Sequence, residues 1–311
     1  MLYKSDHKTS KQLNKEFSYK NGNYFLHFKN GPDDIPVIEI NNMFASATIS
    51  LQGAHVLSWK PVGEKDVIWL SDDATFATGK SVRGGIPVCW PWFGAHESEP
   101  DFPAHGFART VLWQVTEAQQ LTNGETQVSF KLDTQLLEQK YQQMWPQSTV
   151  AEYHLRIGKT LRLELSTFNN SAEAVILGQA LHTYFNVSDV SATTIEGLAD
   201  KDYLDKTDGF VRKKQSGLIT IDSEVDRVYL NTADDVVIND QNRNIMIKKQ
   251  GSLSTVVWNP WKEVADKMAD LGQDGYLTML CVESANAAED TINIPAGGSH
   301  SLNVSYEIKK K

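Results

Sequence analysis

The sequence of 311 residues contains only two cysteines, Cys89 and Cys281. Two cysteines are too few for the disulfide framework of a small secreted domain, and each lies within a hydrophobic run. We therefore expect two buried, reduced thiols. Neither cysteine has an activating base close to it in the sequence, which argues against a nucleophilic role.

The sequence also lacks long hydrophobic runs and the glycine-rich loops that hold nucleotides. No stretch reaches the roughly 18 consecutive apolar residues of a membrane-spanning helix, so we expect no membrane contact. There is no Walker-type phosphate loop and no dinucleotide fingerprint behind a strand. Residues 1–23 are polar and rich in lysine, unlike a secretory signal, and this predicts a cytoplasmic protein.

An excess of positive charge is absent as well, because the formal net charge is −9 at pH 7. A protein that binds nucleic acid needs a basic surface, so we expect no nucleic-acid partner. The negative charge would repel an anionic small molecule at long range, but salt screens that effect over about 8 Å. A local cluster of arginines can therefore still bind an anion.

What the sequence does contain is many short segments in which apolar and polar residues alternate. Residues 151–157 and 161–165 alternate on either side of the turn at 158–160, which predicts a β-hairpin. Further alternating segments lie at residues 48–51, 127–132, 236–238, 245–247 and 304–308. The chain is therefore predicted to be all-β, as a large antiparallel β-sandwich.

Helical spacing is confined to two short segments, residues 134–143 and 262–271. Pro260 precedes the second segment and Gly272 follows it, and these residues are common at the start and the end of a helix. There is no internal repeat, low-complexity linker or shift in composition. We expect a polar N-terminal extension over residues 1–30 and a single domain over residues 31–311.

Two neighbouring segments concentrate groups that suit an anionic sugar: SVRGGIPVCWPWFG at 81–94 and PAHGFAR at 103–109. Arginine offers several planar donors to a phosphate or carboxylate and keeps its charge. Aromatic faces suit the apolar faces of a sugar ring. Such loops also occur at strand ends of β-sandwiches, where the arginines would only form surface ion pairs. The residues alone leave both interpretations open.

Four further segments follow in order: LHTYFNV at 181–187, EVDRVY at 224–229, VWNPW at 257–261 and LCVES at 280–284. Together with PAHGFAR they make the chain resemble the hexose-6-phosphate mutarotases, a branch of the aldose 1-epimerase families. The resemblance runs from about residue 38 to the C-terminus. It implies a β-sandwich of the galactose-mutarotase type, with a few short helices.

The resemblance implies an enzyme that interconverts the α and β anomers of a hexose 6-phosphate, with glucose 6-phosphate expected. A base removes the proton of the anomeric hydroxyl while an acid protonates the ring oxygen, the ring opens, and rotation and reclosure invert the centre. No metal or other cofactor is expected. By the resemblance, His182 is the acid and Glu283 the base. From the residues alone, His182 could be a satisfied core histidine and Glu283 a strand-end carboxylate.

The resemblance also assigns substrate-binding residues. Arg83 and Arg109 would hold the 6-phosphate, and His105 would bind a ring hydroxyl or only support its loop. Asp226 would accept hydroxyls from the sugar, unless its neighbour Arg227 holds it in a structural ion pair. The expected partner is therefore a small sugar phosphate, and we expect a monomer.

One position departs from the family pattern, because some members have a glutamine immediately before HGFAR and this chain has Ala104. The polar contact is then either missing or supplied elsewhere, with Asn259 and His96 as candidates, and the preferred hexose stays open. The tryptophans Trp90, Trp92 and Trp258 could either stack on the sugar or belong to the core. A metal site built from the group His96, Glu97, Asp101 and His105 is conceivable but disfavoured, since four residues of an acidic loop define no ligand geometry.

Two other functions remain open from the sequence. The chain could be an aldose 1-epimerase for free sugars, or a non-catalytic relative that keeps the fold and binds carbohydrate. The paired arginines Arg83 and Arg109 favour a phosphorylated substrate over a free sugar. The joint presence of His182 and Glu283 favours either enzyme over a binding protein.

Overall fold

A computed structural model describes residues 7–311 of the chain, in which 24 strands and four short α-helices alternate with turns. The first strands are β1 (Tyr19–Asn21), β2 (Tyr24–Asn30), β3 (Pro36–Asn41), β4 (Ala45–Ser50), β5 (His55–Pro61), β6 (Val88–Cys89), β7 (Gln114–Gln120) and β8 (Thr126–Asp133). The next are β9 (Thr149–Ile157), β10 (Thr160–Asn169), β11 (Val175–Leu177), β12 (Gln179–Leu181), β13 (Tyr184–Asn186), β14 (Thr194–Glu196), β15 (Asp202–Asp205) and β16 (Val211–Lys214). The last are β17 (Ile219–Thr220), β18 (Val225–Tyr229), β19 (Val236–Asn239), β20 (Arg243–Gln250), β21 (Ser254–Asn259), β22 (Met279–Asn286), β23 (Ile292–Ile294) and β24 (Ser299–Lys310). The helices are α1 (Ser10–Phe17), α2 (Gln139–Met144), α3 (Trp261–Ala265) and α4 (Gly275–Thr278).

Two large sheets form the body of the protein. One has nine strands in the order β17-β14-β19-β20-β24-β10-β9-β8-β7, and the other has eight, ordered β16-β15-β18-β21-β22-β12-β6 with β13 beside β22. Their strands pair in antiparallel fashion, and one hydrophobic core joins the two sheets. Across that core Thr183 shares a hydrogen bond of 2.6 Å with the hydroxyl of Tyr306, whose ring also packs edge-on against Phe185. The prediction of a large antiparallel β-sandwich is confirmed.

The predicted hairpin is formed by β9 and β10, which pair directly across the short turn. Its apolar residues Leu155, Ile157, Leu161 and Leu163 are buried in the main core, as the alternation predicts. The predicted helices are shorter than expected. Residues 134–136 form a 3₁₀ turn and Leu137 is extended before α2, while α3 ends at Ala265 and a series of turns follows.

Strands β1 to β5 form a third, five-stranded sheet at the N-terminal side of the chain. Strand β2 pairs with β3, and Leu13 of α1 and Leu26 and Phe28 of β2 are buried in the main core. Residues 10–30 therefore carry regular structure that packs on later parts of the chain. The division of the chain at residue 30 stays a prediction.

The eight-stranded sheet has one face toward the nine-stranded sheet and one face away from it. Along β22, Leu280 and Val282 are buried in the core between the sheets, whereas Glu283 lines a cavity on the opposite face. This alternation follows from the two-residue period of a strand. The outward face of the eight-stranded sheet is thus the floor of the cavity described next.

Two further expectations concern the whole chain. Cys89 and Cys281 are both free and completely buried, so the expected buried thiols are confirmed. Among residues 7–311, no helix has the length and apolar character needed to cross a membrane.

Candidate functional site

A cavity of about 280 Å³ lies on the outward face of the eight-stranded sheet. Strands of the sheet form its floor, and the two loops rich in glycine and proline close one side. All six residues predicted from the sequence to act in the site line this cavity: Arg83, His105, Arg109, His182, Asp226 and Glu283. The structure therefore brings together side chains that are up to 200 residues apart in the sequence.

The register of β22 places His182 opposite Glu283. Both β12 and β13 pair with β22, with Leu181 opposite Ser284 and Tyr184 opposite Cys281. Residues 182 and 183 form the step between these two short strands. His182 Nε2 consequently lies 3.3 Å from Glu283 Oε1.

Burial governs the protonation of this pair. The side chains of His182 and Glu283 are 11% and 1% exposed. Burial holds the pKa of His182 well below its usual range, and the nearby His105, Arg109 and Arg83 lower it further. Burial raises the pKa of Glu283 well above its usual range, against the opposing effect of Lys206. The pair therefore favours a neutral imidazole beside a protonated carboxyl group, with one proton shared between them.

Neither member of the pair has its full set of hydrogen bonds. His182 Nδ1 and Glu283 Oε2 are buried and have no partner. A buried polar atom without a partner costs free energy, and in native proteins such atoms are uncommon. Both atoms belong to groups that line the cavity, so a polar ligand in the cavity is the natural source of partners.

Aromatic rings hold the imidazole of His182 in place. Tyr184 stacks on it at a centroid distance of 5.0 Å, and Trp258 meets it edge-on at 6.0 Å. Trp258 also lines the cavity, unlike Trp90 and Trp92, which are buried in the core. Of the three tryptophans considered from the sequence, only Trp258 is therefore placed to contact a sugar.

The loop that carries His105 is positioned by backbone contacts. His105 has a φ of 67°, and its backbone N–H donates to Gly94 O at 2.7 Å. Gly106 forms a bridge with Trp90, and a Cβ atom at position 106 would collide with the Trp90 carbonyl. Glycine is thus required there by the close approach of two backbones. The His105 ring lies 5.6 Å from that of His182, and burial lowers its pKa to about 3.

The two arginines of the cavity are in different states. Arg83 Nε donates to Asp270 Oδ1 at 3.2 Å, and another nitrogen of Arg83 donates to the Tyr184 hydroxyl at 3.1 Å. Arg109 donates to the backbone carbonyl of Ala104 at 2.8 Å, and among residues 7–311 it has no carboxylate partner. Arg109 is therefore the uncompensated cation of the site.

Asp226 is paired, but with a different residue from the one considered in the sequence. Lys206 Nζ lies 2.7 Å from Asp226 Oδ2, whereas Arg227 points to the other face of the strand, where it donates to Gln215 and lies over the Tyr203 ring. The alternative of an Asp226–Arg227 ion pair is therefore wrong. Asp226 Oδ1 remains buried without a partner, and burial raises the pKa of this carboxyl group.

The two residues expected to compensate for Ala104 do not line the cavity. Asn259 is buried and donates to the carbonyls of Tyr276 and Met279, while the His96 ring packs against Trp92. Both predictions are therefore wrong. The polar contact that a glutamine at position 104 would make is replaced by neither residue.

Sequence reasoning missed three cavity residues that contact the predicted site residues: Tyr184, Lys206 and Asp270. Tyr184 stands two residues after His182 in the HTYF segment, so the segment that identified His182 also contains Tyr184. Lys206 begins a 3₁₀ turn after β15, and Asp270 lies among the turns after α3. Both belong to ordinary polar turns, and nothing in their local sequence marks them.

Comparison with known proteins agrees with this geometry. The family model described as "Aldose 1-epimerase" matches residues 36–307. A protein of Escherichia coli K12 named "Putative glucose-6-phosphate 1-epimerase" is 40% identical over 260 residues, covering 83% of this chain and 85% of the relative. A Salmonella typhimurium protein of the same name is 38% identical over 258 residues, covering 82% of this chain and 84% of that protein.

Solved structures give the same result. The crystal structure of a protein from Salmonella typhimurium titled "putative mutarotase" has a TM-score of 0.85 and 32% identity, covering 92% of this chain and 94% of that one. A "galactose mutarotase related enzyme" from Lactobacillus acidophilus has a TM-score of 0.70 at 14% identity, covering 87% of this chain and 96% of that one. The second likeness concerns the fold alone.

Proposed function

Because the chain belongs to the aldose 1-epimerase family, we propose that it interconverts the α and β anomers of a hexose 6-phosphate, with glucose 6-phosphate as its substrate. The relatives with 40% and 38% identity carry that activity in their names. The cavity adds what such a reaction requires: two groups that exchange protons, and cations for a phosphate.

The observation that carries the proposal is the contact between His182 and Glu283. Their nearest atoms are 3.3 Å apart, both are buried, and each retains an unpartnered atom in the cavity wall. Two groups that share one proton can donate it to the ring oxygen and accept another from the anomeric hydroxyl. We assign His182 as the donor and Glu283 as the acceptor.

The protons balance over the cycle. His182 gives its proton to the ring oxygen while Glu283 takes the proton of the anomeric hydroxyl, and the ring opens to the aldehyde. After rotation about the C1–C2 bond the same two transfers run in reverse, and the pair regains its starting state. No group outside the pair needs to gain or lose a proton.

A bound phosphate would also favour the protonated form of His182. Arg109 and Arg83 help to lower the pKa of His182, which disfavours the protonated imidazole that the reaction needs. A phosphate dianion bound to these arginines offsets their charge and raises the pKa of His182 again. The substrate then favours the imidazolium–carboxylate form that begins the reaction.

Substrate contacts follow from the same geometry. Arg109 has no carboxylate partner and is the first ligand for the 6-phosphate, with Arg83 as the second. Asp226 Oδ1 is free to accept a sugar hydroxyl, and His105 is held close to the His182 ring. Trp258 offers an aromatic face to the sugar ring.

One observation favours a second candidate, an epimerase of free sugars. Asp270 already occupies one side of Arg83 at 3.2 Å, and its carboxylate would repel a phosphate bound there. For glucose 6-phosphate to use both arginines, Asp270 must release Arg83. A free sugar makes no such demand.

Exchange spectroscopy by NMR between the anomers of glucose 6-phosphate tests the proposal, with free glucose and galactose measured in parallel. We expect faster exchange than in a protein-free sample, and a higher catalytic efficiency on the phosphorylated sugar. Equal efficiency on glucose would replace the proposal with the free-sugar epimerase. No acceleration on any of the three sugars would favour the remaining interpretation, a non-catalytic relative that binds carbohydrate.

The proposal extends to the oligomeric state of the protein and to its location in the cell. We propose a monomer that acts in the cytoplasm on a small sugar phosphate. The two free buried thiols suit a reducing compartment.

A further inference from the structure

A thiol that the proposed reaction does not use lies beside the acid–base pair. Cys281 and Glu283 are two residues apart on β22, so their side chains leave the same face of the sheet. One ligand atom each of His182, Cys281 and Glu283 lies within 4.8 Å of the other two. Within residues 7–311, no other group of three histidine, cysteine or acidic side chains is gathered in this way.

The three atoms make a set that suits zinc. An imidazole nitrogen, a thiolate sulfur and a carboxylate oxygen are the ordinary protein ligands of Zn²⁺. With zinc–ligand distances of about 2.0–2.3 Å, neighbouring ligand atoms in a tetrahedral site are about 3.3–3.8 Å apart. His182 Nε2 and Glu283 Oε1 already have this spacing, at 3.3 Å. The Cys281 sulfur lies within 4.8 Å of its two partners, so it must approach them by up to about 1–1.5 Å to reach that spacing.

The surroundings leave these ligands available. His182 Nδ1 and Glu283 Oε2 have no hydrogen-bond partner. Cys281 is in no disulfide, and coordination of a metal displaces the proton of a thiol. The thiol proton and the proton shared by the pair pass to solvent, and two anionic ligands then balance the charge of the ion.

We propose that His182, Cys281 and Glu283 form a Zn²⁺-binding site, and that Zn²⁺ bound there stops anomer exchange. The metal is an inhibitor and not a cofactor, because it takes the lone pairs that both proton transfers need. The cations Arg83, Arg109 and Lys206 around the cavity weaken its binding, so a chelator should restore activity. The inhibition rests on the proposed function, whereas the binding does not.

Binding is tested without any sugar. Titration of the folded protein with Cd²⁺, a spectroscopic substitute for Zn²⁺, should produce the ultraviolet charge-transfer band of a cadmium–thiolate bond at one equivalent. Cys281→Ala should lose this band, and Cys89→Ala, which removes the other fully buried thiol, should keep it. No band in the wild type, or a band that survives in Cys281→Ala, overturns the site. Cys281→Ser replaces the alanine variant if the latter does not fold by circular dichroism.

Inhibition is tested on glucose 6-phosphate. Exchange by the wild type and by Cys89→Ala should fall as Zn²⁺ is added and recover with EDTA. Relative to its own exchange without zinc, Cys281→Ala should need about 100-fold more Zn²⁺ for the same fractional inhibition, since even supporting partners of a metal ligand contribute 10–100-fold to affinity. Equal zinc sensitivity of the two variants overturns the inference. A wild type that shows the cadmium band but exchanges no anomers of any sugar contradicts the proposed function and leaves the metal site standing.

Discussion

The candidate site is not the largest concave surface of the described residues, and a groove on the other large sheet makes an informative comparison with it. A groove of about 660 Å³ crosses the exposed face of the nine-stranded sheet, whereas the cavity on the eight-stranded sheet has only about 280 Å³. The groove is also rich in charge, with Arg156 and Arg162 on the paired strands β9 and β10 and Lys248 on β20, across β24. Size and charge alone would select the groove.

The difference lies in how the polar groups of the two surfaces are satisfied. In the groove, Arg162 pairs with Glu125 at 3.1 Å and His154 contacts Ser129 at 2.9 Å. None of the described groove residues has a buried side-chain nitrogen or oxygen without a partner. The cavity has three such atoms, on His182, Asp226 and Glu283. Three of the eight such atoms among the described residues are gathered in this one cavity, where a ligand can complete them, and this favours the cavity over the groove as the site.

The largest expected effect concerns the acid–base pair, and the groove provides a control of the same composition. His182→Ala and Glu283→Gln should each slow anomer exchange by about 10² or more, the usual loss for a positioned acid or base. His154 and Glu164 face each other in the groove across β9 and β10. His154→Ala and Glu164→Gln should leave exchange within about twofold, as surface changes usually do.

The measurement is exchange spectroscopy on glucose 6-phosphate, with the melting temperature of each variant as the check on folding. A folded Glu283→Gln variant with normal exchange would remove Glu283 from the mechanism. A loss of exchange in the His154 or Glu164 variants would instead move the site to the groove.

The next effect concerns the arginines. Arg83→Met and Arg109→Met should each reduce the preference for glucose 6-phosphate over glucose by roughly tenfold to a hundredfold, since a charge-assisted hydrogen bond contributes about 1.5–3 kcal/mol. Arg156→Met in the groove should leave that preference unchanged. The quantity to compare is kcat/KM on the two sugars. Retention of the preference in both cavity variants would contradict the phosphate assignment.

A smaller effect tests whether the phosphate activates the pair as well as anchoring the sugar. Sulfate, an anion without useful basicity at neutral pH, should speed the exchange of free glucose by up to about tenfold, the equivalent of one pKa unit at His182. The same sulfate should compete with glucose 6-phosphate. Arg109→Met should abolish the acceleration, and protein-free samples supply the background. Pure inhibition with both sugars would limit the phosphate to an anchoring role.

The smallest expected effect on activity comes from Lys249, the one buried lysine that borders the groove. Burial lowers its pKa to about 7, yet its ammonium group donates to Ser254 O at 2.6 Å and to Thr255 Oγ1 at 2.7 Å. A perturbed pKa at a satisfied group predicts a structural role. Lys249→Met should therefore leave anomer exchange unchanged.

The effect of Lys249→Met on the free energy of unfolding should depend on pH. Between about pH 7 and 10 the folded state has released the proton of Lys249 while the unfolded chain still holds it, so this group makes wild-type stability rise with pH. Lys249→Met should remove that part of the rise, as measured by urea unfolding at pH 7 and pH 9. The same slope in both proteins would show that Lys249 stays charged in the fold.

The sequence was a good guide where the information is local. The alternation around residues 151–165 predicts a hairpin because each strand has one face in the core, and the structure has it. The helix predicted at 134–143 is interrupted because Leu137 is buried in an extended conformation. The helix predicted at 262–271 shortens because i to i+3 turns follow Ala265. Tertiary packing overrides the helical spacing in both segments.

The residues of the candidate site could likewise be predicted only where the local sequence marks them. His182 and Glu283 stand in apolar segments, where a polar residue attracts notice, and both line the cavity. Lys206 and Asp270 reach it from polar turns, where lysine and aspartate are ordinary residues. Their partners, Asp226 and Arg83, are 20 and 187 residues away. Such pairings depend on the folded chain and leave no local pattern.

Positions 104 and 106 of the PAHGFAR loop differ in how well they tolerate substitution. Gly106 sits against the Trp90 carbonyl with no room for a side chain, so substitution there would displace His105 and Arg109 together. Ala104 is exposed and holds Arg109 only through its backbone carbonyl. Lineages can therefore exchange the side chain at position 104 without rebuilding the loop. Variation of this loop belongs at position 104, and position 106 should be left as glycine.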